Sequence, residues 1–232
     1  MTNPLPERVL ANLREVRDRM AEAAERSGRA GADVRLVAVT KTVAPETIRV
    51  LAEAGQTDIG ENRGQQIRDR AAELADTGVN WHMIGRLQRN KVKYVVPTCT
   101  MIHSVDSLRL AEAIAKRARA HGVQVRCLLE VNTSGEDAKA GARPADAPAL
   151  ASQAAAMDGI DLVGLMTMPP FVDDAETVRP LFVALRQLRE QLNRQADLPH
   201  PLTELSMGMT QDYEVAIEEG ATIIRVGTAL FR

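Results

Sequence analysis

Lys41 stands at the end of a run of β-branched and apolar residues, Val34 to Thr42, and is followed directly by Val43, Ala44 and Pro45, where a helix is expected to begin. Ligands in α/β folds bind where a strand hands over to a helix. Among apolar walls an amine at that junction gives up its proton readily and becomes a nucleophile toward carbonyls; in solvent it is an ordinary strand-end lysine. Arg225 interrupts Thr222 to Val226, a run that reads as a buried strand, so its guanidinium needs either a ligand or a core carboxylate such as Glu130. Two further stretches, Ser206-Met207-Gly208-Met209-Thr210 and Val226-Gly227-Thr228, combine glycine, backbone N–H groups and hydroxyls in the manner of phosphate-binding loops. The same glycines would also serve simply to turn the chain. Asn62, the Gly85 turn and Asn132 fall at other strand ends. His82 reads as a ligand contact or as a satisfied interior histidine, and Glu61 as a capping acid.

The elements that position these groups alternate. A helix from Pro6 to about Ser27, carrying Val9, Leu10, Leu13, Val16 and Met20 and stopped by Gly28, precedes the first strand. A short helix from Pro45 to Gly55 leads to a strand at Thr57 to Asn62 and a helix through Ile67, Ala71 and Leu74. Asn80 to Gly85 reads as the third strand, Leu87 to Val96 as a helix closed by Pro97, and Thr100 to Val105 as the fourth strand. After a helix from Leu108 that Gly122 ends, Val123 to Val131 is the fifth strand, with a polar exit loop from Asn132 to Gly141. A helix through Leu150, Ala154 and Met157 leads to strand six, Ile160 to Met168, broken by Pro169-Pro170. A long helix through Leu185 and Leu192, strand seven at Leu202 to Ser206, a helix through Val215 and strand eight at Ala221 to Val226 complete the pattern. Eight strands separated by helical segments point to a (β/α)8 TIM barrel, with an open doubly wound sheet as the competitor. No linker or low-complexity stretch divides residues 1–232, so a single domain is expected.

Composition narrows the function classes. The 232 residues are 45% hydrophobic and only 3% aromatic, enough for a sizeable aliphatic core. The formal net charge is -2 and acids and bases are interspersed, so neither nucleic acid nor an anionic membrane surface is an expected partner. The N-terminus lacks the apolar segment of a signal peptide and no run is long enough for a membrane span. Cys99 and Cys127 form no ligand cluster, which fits a reducing cytoplasm.

Several motifs in one order carry a family resemblance. Leu36-Val37-Ala38-Val39-Thr40-Lys41-Thr42, Ile59-Gly60-Glu61-Asn62, Trp81-His82-Met83-Ile84-Gly85-Arg86-Leu87-Gln88-Arg89-Asn90-Lys91, Gly164-Leu165-Met166, Leu205-Ser206-Met207-Gly208-Met209 and Val226-Gly227-Thr228-Ala229-Leu230-Phe231 resemble the YggS/PROSC family of pyridoxal phosphate homeostasis proteins, from about Leu36 onward. The resemblance implies one barrel like the N-terminal domain of alanine racemase, with an extra N-terminal helix and pyridoxal 5'-phosphate held as a Schiff base on Lys41. It implies that Ser206, the Gly208-Met209 backbone and the Gly227-Thr228 turn hold the phosphate, that Arg225 faces the pyridine nitrogen, and that Asn62, His82 and Met166 surround the cofactor. The chain departs from the family where many relatives carry a second lysine and it has Val43, at Arg63-Gly64, and in lacking a glycine-led tail. Lys139 matches a lysine of relatives and reads as a second cofactor site or a solvated loop charge.

The implied function is a carrier that buffers and delivers pyridoxal phosphate, maintaining vitamin B6 and amino-acid homeostasis through transient contact with apo-enzymes. A cationic arginine opposite the ring nitrogen opposes its protonation and weakens the electron sink. The related racemases add a β-rich second domain, and no such domain is expected in this chain. The alternatives are a weak single-domain racemase or transaminase and a cofactor-free Schiff-base aldolase. A monomer in the cytoplasm is expected.

Overall fold

A computed structural model of the protein describes residues 4–136 and 140–232. The eight strands are β1 (Arg35–Val39), β2 (Asp58–Glu61), β3 (Asn80–Met83), β4 (Cys99–Val105), β5 (Val125–Glu130), β6 (Ile160–Met166), β7 (Glu204–Ser206) and β8 (Ile223–Val226). All are parallel to their neighbours and run in sequence order around a closed barrel, with β1 pairing β8 from Arg35↔Ile223 to Ala38↔Val226. Closure settles the choice between barrel and open sheet.

The near-continuous apolar runs follow from burial on both faces. On β1, Val37 points into the barrel with Met101, Leu128, Val163, Met166 and Ile223, whereas Leu36 and Ala38 belong to the larger core between barrel and helices. That outer core takes Ile48 and Leu51 from α2 (Pro45–Glu53), Ile67 from α3 (Gly64–Glu73), Val92 and Val95 from α4 (Val92–Val95), and Ile114 from α5 (Leu108–His121). It continues with Leu150 from α6 (Ala147–Ala155), Phe182 and Leu185 from α7 (Arg179–Gln195), and Ile217 from α8 (Tyr213–Glu218). Gly164 is required at the irregular β5–β6–β7 junction: a Cβ there would lie 2.0 Å from the Glu204 carbonyl oxygen.

The charged residues on the inner wall concentrate at the strand beginnings. Glu204 receives Arg126 at 3.1 Å, Arg35 at 3.8 Å and the Thr222 hydroxyl at 2.6 Å, and Asp161 meets His200 at 2.9 Å. These residues cap the base of the barrel, leaving the opposite, C-terminal end for a site.

The leading helix, α1 (Pro4–Arg26), buries Val9, Leu13, Val16 and Met20 and packs against α8 and the C-terminal α9 (Thr228–Phe231). Arg19 and Arg26 bind Glu214 on α8, and Arg26 also binds Glu218 at 2.7 Å. Asn12 Nδ2 donates to the carbonyls of Leu230 at 3.1 Å and Arg232 at 3.0 Å, tying down the tail. Asn12→Ala is expected to cost about 1 kcal/mol, seen as a lower urea midpoint at unchanged slope.

Three boundaries differ from the sequence pattern for physical reasons. The strand expected to reach Thr42 ends at Val39, so Lys41 lies in the connecting turn. The helix expected over Leu87 to Val96 is a 3-10 turn, Arg89–Lys91, followed by the single turn α4; the five-residue gap from Leu87 to Val92 breaks the helical repeat. Gly227-Thr228, expected as a turn, starts α9, whose Leu230 is buried. Among the described residues, no helix is long and apolar enough to cross a membrane, and no cluster of three or more His, Cys, Asp or Glu could hold a metal. Burial pushes the thiols of Cys99 and Cys127 up, away from reactivity.

Candidate functional site

A cavity of about 580 Å³ opens at the C-terminal end of the barrel, within the usual range for small-molecule sites. Lys41, Asn62, Met209, Arg225, Gly227 and Thr228 line it together with Val39, Ile84, Gly85, Thr210, Phe231 and other residues. Six of the ten residues singled out from the sequence therefore share one wall.

Lys41 owes its position to its neighbours. Thr40 is buried and donates from Oγ1 to Glu61 Oε1 at 2.5 Å. Arg70, reaching over from α3, binds the same carboxylate and donates to the carbonyls of Thr40 at 2.8 Å and Val43 at 2.5 Å. Gln66 adds a bond to the Lys41 carbonyl at 3.2 Å. The backbone is thus fixed on both sides of Lys41, while its exposed amine makes no hydrogen bond or ion pair among the described residues. Glu61, which reads as a capping acid in the sequence, is fully buried; burial pushes its carboxyl up, against the pull of the Thr40 hydroxyl and Arg70. Gly85 has no room for a side chain, since a Cβ would lie 2.6–2.7 Å from atoms of Asn62, and this contact holds Asn62 at the rim.

Arg225 rises from β8, opposite Val37, and is almost fully buried. Nη1 donates to Ser206 Oγ at 2.6 Å and Nη2 to the Thr167 carbonyl at 2.9 Å. Among the described residues, no carboxylate oxygen lies within ion-pairing distance, so the expected alternative of a salt bridge to Glu130 is not formed. Burial lowers the guanidinium to about 10, with Asp212 and Glu130 acting in the opposite sense through space; it stays charged at neutral pH. Glu130 is itself raised to about 7, first by burial and then by Asp106, and its Oε2 has no hydrogen-bond partner.

The two glycine-bearing loops lie side by side, joined by a bond from the Ala229 N–H to Thr210 Oγ1 at 3.3 Å. Gly208 adopts φ +96°, and a Cβ would sit 2.7 Å from Ala216 Cβ and 2.9 Å from Tyr213 Cα, so this glycine serves the packing of α8. The Met209 N–H is occupied by Asp212 Oδ1 at 2.6 Å. Ser206, Met166 and His82 do not line the cavity. Ser206 lies beneath Arg225, Met166 belongs to the apolar barrel interior, and His82 is fully buried between Asp58 and His103. Asn132 organises its own loop through bonds to Ser134, Gly135 and Glu136. Lys139 lies outside the described residues.

Arg70, His103, Asp58 and Thr167 escape the sequence reading. His103 carried a usable signal, a polar residue inside the apolar strand Thr100 to Val105, the same signal that marks Arg225. Arg70 carried none, because Arg68-Asp69-Arg70 looks like any solvated helix face.

The family model for the alanine racemase N-terminal domain matches residues 11–232. A pyridoxal phosphate homeostasis protein of Aquifex aeolicus is 44% identical over 221 residues, covering 94% of this chain and 95% of that protein. A crystal structure of an unknown protein from Bifidobacterium adolescentis superposes with a TM-score of 0.92 at 41% identity, over 100% of this chain and 97% of the other. PipY of Synechococcus elongatus, solved with pyridoxal phosphate bound, has a TM-score of 0.81 at 38% identity, over 92% of this chain and 100% of that one. On sequence and fold alike, the chain belongs to the family of pyridoxal phosphate homeostasis proteins, built on the alanine racemase N-terminal barrel.

Proposed function

We propose that this chain binds pyridoxal phosphate at the barrel mouth, holds it on Lys41, and buffers and delivers it to apo-enzymes as a cytoplasmic monomer. The observation that carries this reading is the Lys41 amine, unpaired on a backbone fixed by Thr40, Glu61 and Arg70, facing a cavity that also holds a buried cation. The cofactor supplies an aldehyde that condenses with a primary amine, giving a coloured and borohydride-reducible linkage. Thr210, Gly227 and Thr228 offer hydroxyls and flexible backbone for its phosphate, Asn62 and Met209 wall the mouth, and Arg225 presents a charge that disfavours a protonated ring nitrogen. Ser206 holds Arg225 from beneath.

The side chains around the cavity favour a carrier over a racemase. Among the described residues, the charged side chains of the residues that line it, besides Lys41, are those of Arg225 and Arg232. Racemisation needs a second group to exchange a proton on the face opposite the lysine, and a guanidinium is a poor acceptor.

Absorbance before and after borohydride, with peptide mapping of the reduced adduct, tests the reading. The purified protein is expected to be yellow or to become so with pyridoxal phosphate, to carry its label on Lys41, and to lose the colour in Lys41→Ala. A colourless protein, or a label elsewhere, overturns the binding site. Rapid amino-acid racemisation by the loaded protein overturns the carrier role alone.

A further inference from the structure

A line of hydrogen bonds crosses the barrel interior from its base to Arg225. Asp58 Oδ1, at the start of β2, is 2.9 Å from His82 Nε2; His82 Nδ1 is 3.0 Å from His103 Nε2; His103 Nδ1 is 2.9 Å from Ser206 Oγ, which accepts from Arg225 at 2.6 Å. The two histidines and Ser206 are fully buried, whereas the Asp58 side chain is 23% exposed beside a cavity at the barrel base.

The chemistry of the partners fixes where the hydrogens lie. Arg225 only donates, and an ionised carboxylate only accepts. Burial works against the Asp58 charge, but His82 and Arg35 outweigh it and hold the carboxyl below its ordinary value. With one hydrogen per ring, His82 therefore carries its own on Nε2, toward Asp58. His82 Nδ1 accepts from the Nε2–H of His103, and His103 Nδ1 accepts the Ser206 hydroxyl. Adding one proton reverses the line: His82 becomes a cation against Asp58, His103 carries its hydrogen on Nδ1, and Ser206 accepts from both His103 and Arg225. The Ser206 hydroxyl hydrogen is then released from His103. No bond other than N–H and O–H changes, and the added proton comes from water.

Several charges surround the pair. Arg35 on β1, Asp58 on β2, Arg126 on β5 and Arg225 on β8 face it, while Glu204 on β7 pairs Arg35 and Arg126 and Asp161 on β6 pairs His200. Burial, His82 and Arg225 all push His103 well below its ordinary value, so in the free protein its ring is neutral. An anion beside Arg225 offsets one of the charges that oppose protonation.

We propose that loading an anionic ligand next to Arg225 takes up one proton on the Asp58–His82 pair, with His103 as the positioning residue that links that pair to Ser206 and Arg225. This rests on the reading of the mouth as the cofactor site. The coupling is reciprocal, so one proton taken up on loading makes added acid favour loading, by at most about tenfold per pH unit.

The test uses the full chain and pyridoxine 5'-phosphate, which lacks the aldehyde and so does not engage the Lys41 amine covalently. Calorimetry in two buffers of different ionisation heat counts protons, and 15N NMR of labelled histidines reports which ring nitrogens carry hydrogen. Binding is expected to take up close to one proton and to move the His103 hydrogen from Nε2 to Nδ1. The phosphate's own ionisation near pH 6 favours tighter binding at high pH, so the wild type is compared with His103→Phe, which cuts the line, and with Asp58→Asn, which removes the anion at its solvent end. Glu130, which acts on Arg225 through space, takes up protons equally in all three proteins, so both variants are expected to bind with close to one proton less uptake than the wild type. Unchanged ring nitrogens on binding, or equal proton uptake in the wild type and the variants, overturns the coupling while leaving the site intact. Failure to bind either pyridoxine phosphate or pyridoxal phosphate overturns the site and the coupling together.

Discussion

Arg70→Met is expected to lower the unfolding free energy by about 3–5 kcal/mol at neutral pH, the range for leaving one partner of a buried ion pair alone. Glu61 is fully buried, and Arg70 is its cationic partner; among the described residues, the other bond to its carboxylate comes from the Thr40 hydroxyl. Removing Arg70 also frees the carbonyls of Thr40 and Val43, the two anchors on either side of Lys41. The loss has a defined pH dependence. Burial already raises the Glu61 carboxyl, and without Arg70 it rises further, so the folded variant holds a proton that the unfolded chain releases. Stability then falls as pH rises between the unfolded and folded values, and the deficit is smallest in acid. Urea unfolding at pH 5 and pH 8 measures it. Arg70→Met combined with Glu61→Gln is expected to recover part of the loss at pH 8, because no carboxylate is left unpaired. Equal stability of Arg70→Met and wild type at pH 8 would show that the pair is not what holds the Lys41 turn.

The barrel was legible because its strands are buried on both sides and so read as apolar runs separated by amphipathic helices, as Leu36, Val37 and Ala38 illustrate. The mouth was legible where a residue type conflicted with its surroundings: Arg225 in an apolar strand, and Lys41 at the end of one. What the pattern missed depends on contacts across distant segments. Nothing local distinguishes Arg70 from Arg68, yet of the two Arg70 meets Glu61, because α3 packs on β2 and β3 and Arg70 reaches from it to the turn after β1. His82 was visible as a polar interruption, but its role follows from Asp58 and His103 on neighbouring strands, which the sheet register brings together. Gly208 suggested close approach to an anion, whereas its crowded neighbours belong to α8. The family motifs therefore mark the mouth well, and the layer that supports it emerges only from closure of the barrel.

Glu130→Gln is expected to stabilise the protein by about 3 kcal/mol at pH 8 and to have little effect at pH 4. Glu130 ends β5 inside the barrel, 3% exposed, with Oε2 unpartnered and Asp106 nearby. Burial and that second carboxyl move it from 4.5 to about 7, against the attraction of Arg225 and Arg86. Because its folded value lies above the unfolded one, the native state binds the extra proton, and stability is lost as pH rises from about 4.5 to about 7. Carrying the ionised form above pH 7 costs about 3 kcal/mol on that displacement. Glutamine keeps the shape and most of the polarity of the protonated acid but never ionises, so the variant loses this slope rather than shifting it. The measurement is the urea midpoint of both proteins from pH 4 to pH 8: converging curves in acid and a widening gap toward pH 8 are expected, and parallel curves would place the titrating group elsewhere. The same substitution removes a negative charge from beneath Arg225, so binding of a phosphate ester at the mouth should tighten above pH 7 and stay unchanged at pH 5, where Glu130 is already neutral. That links the carboxyl to the site through the field at Arg225, with no direct contact required.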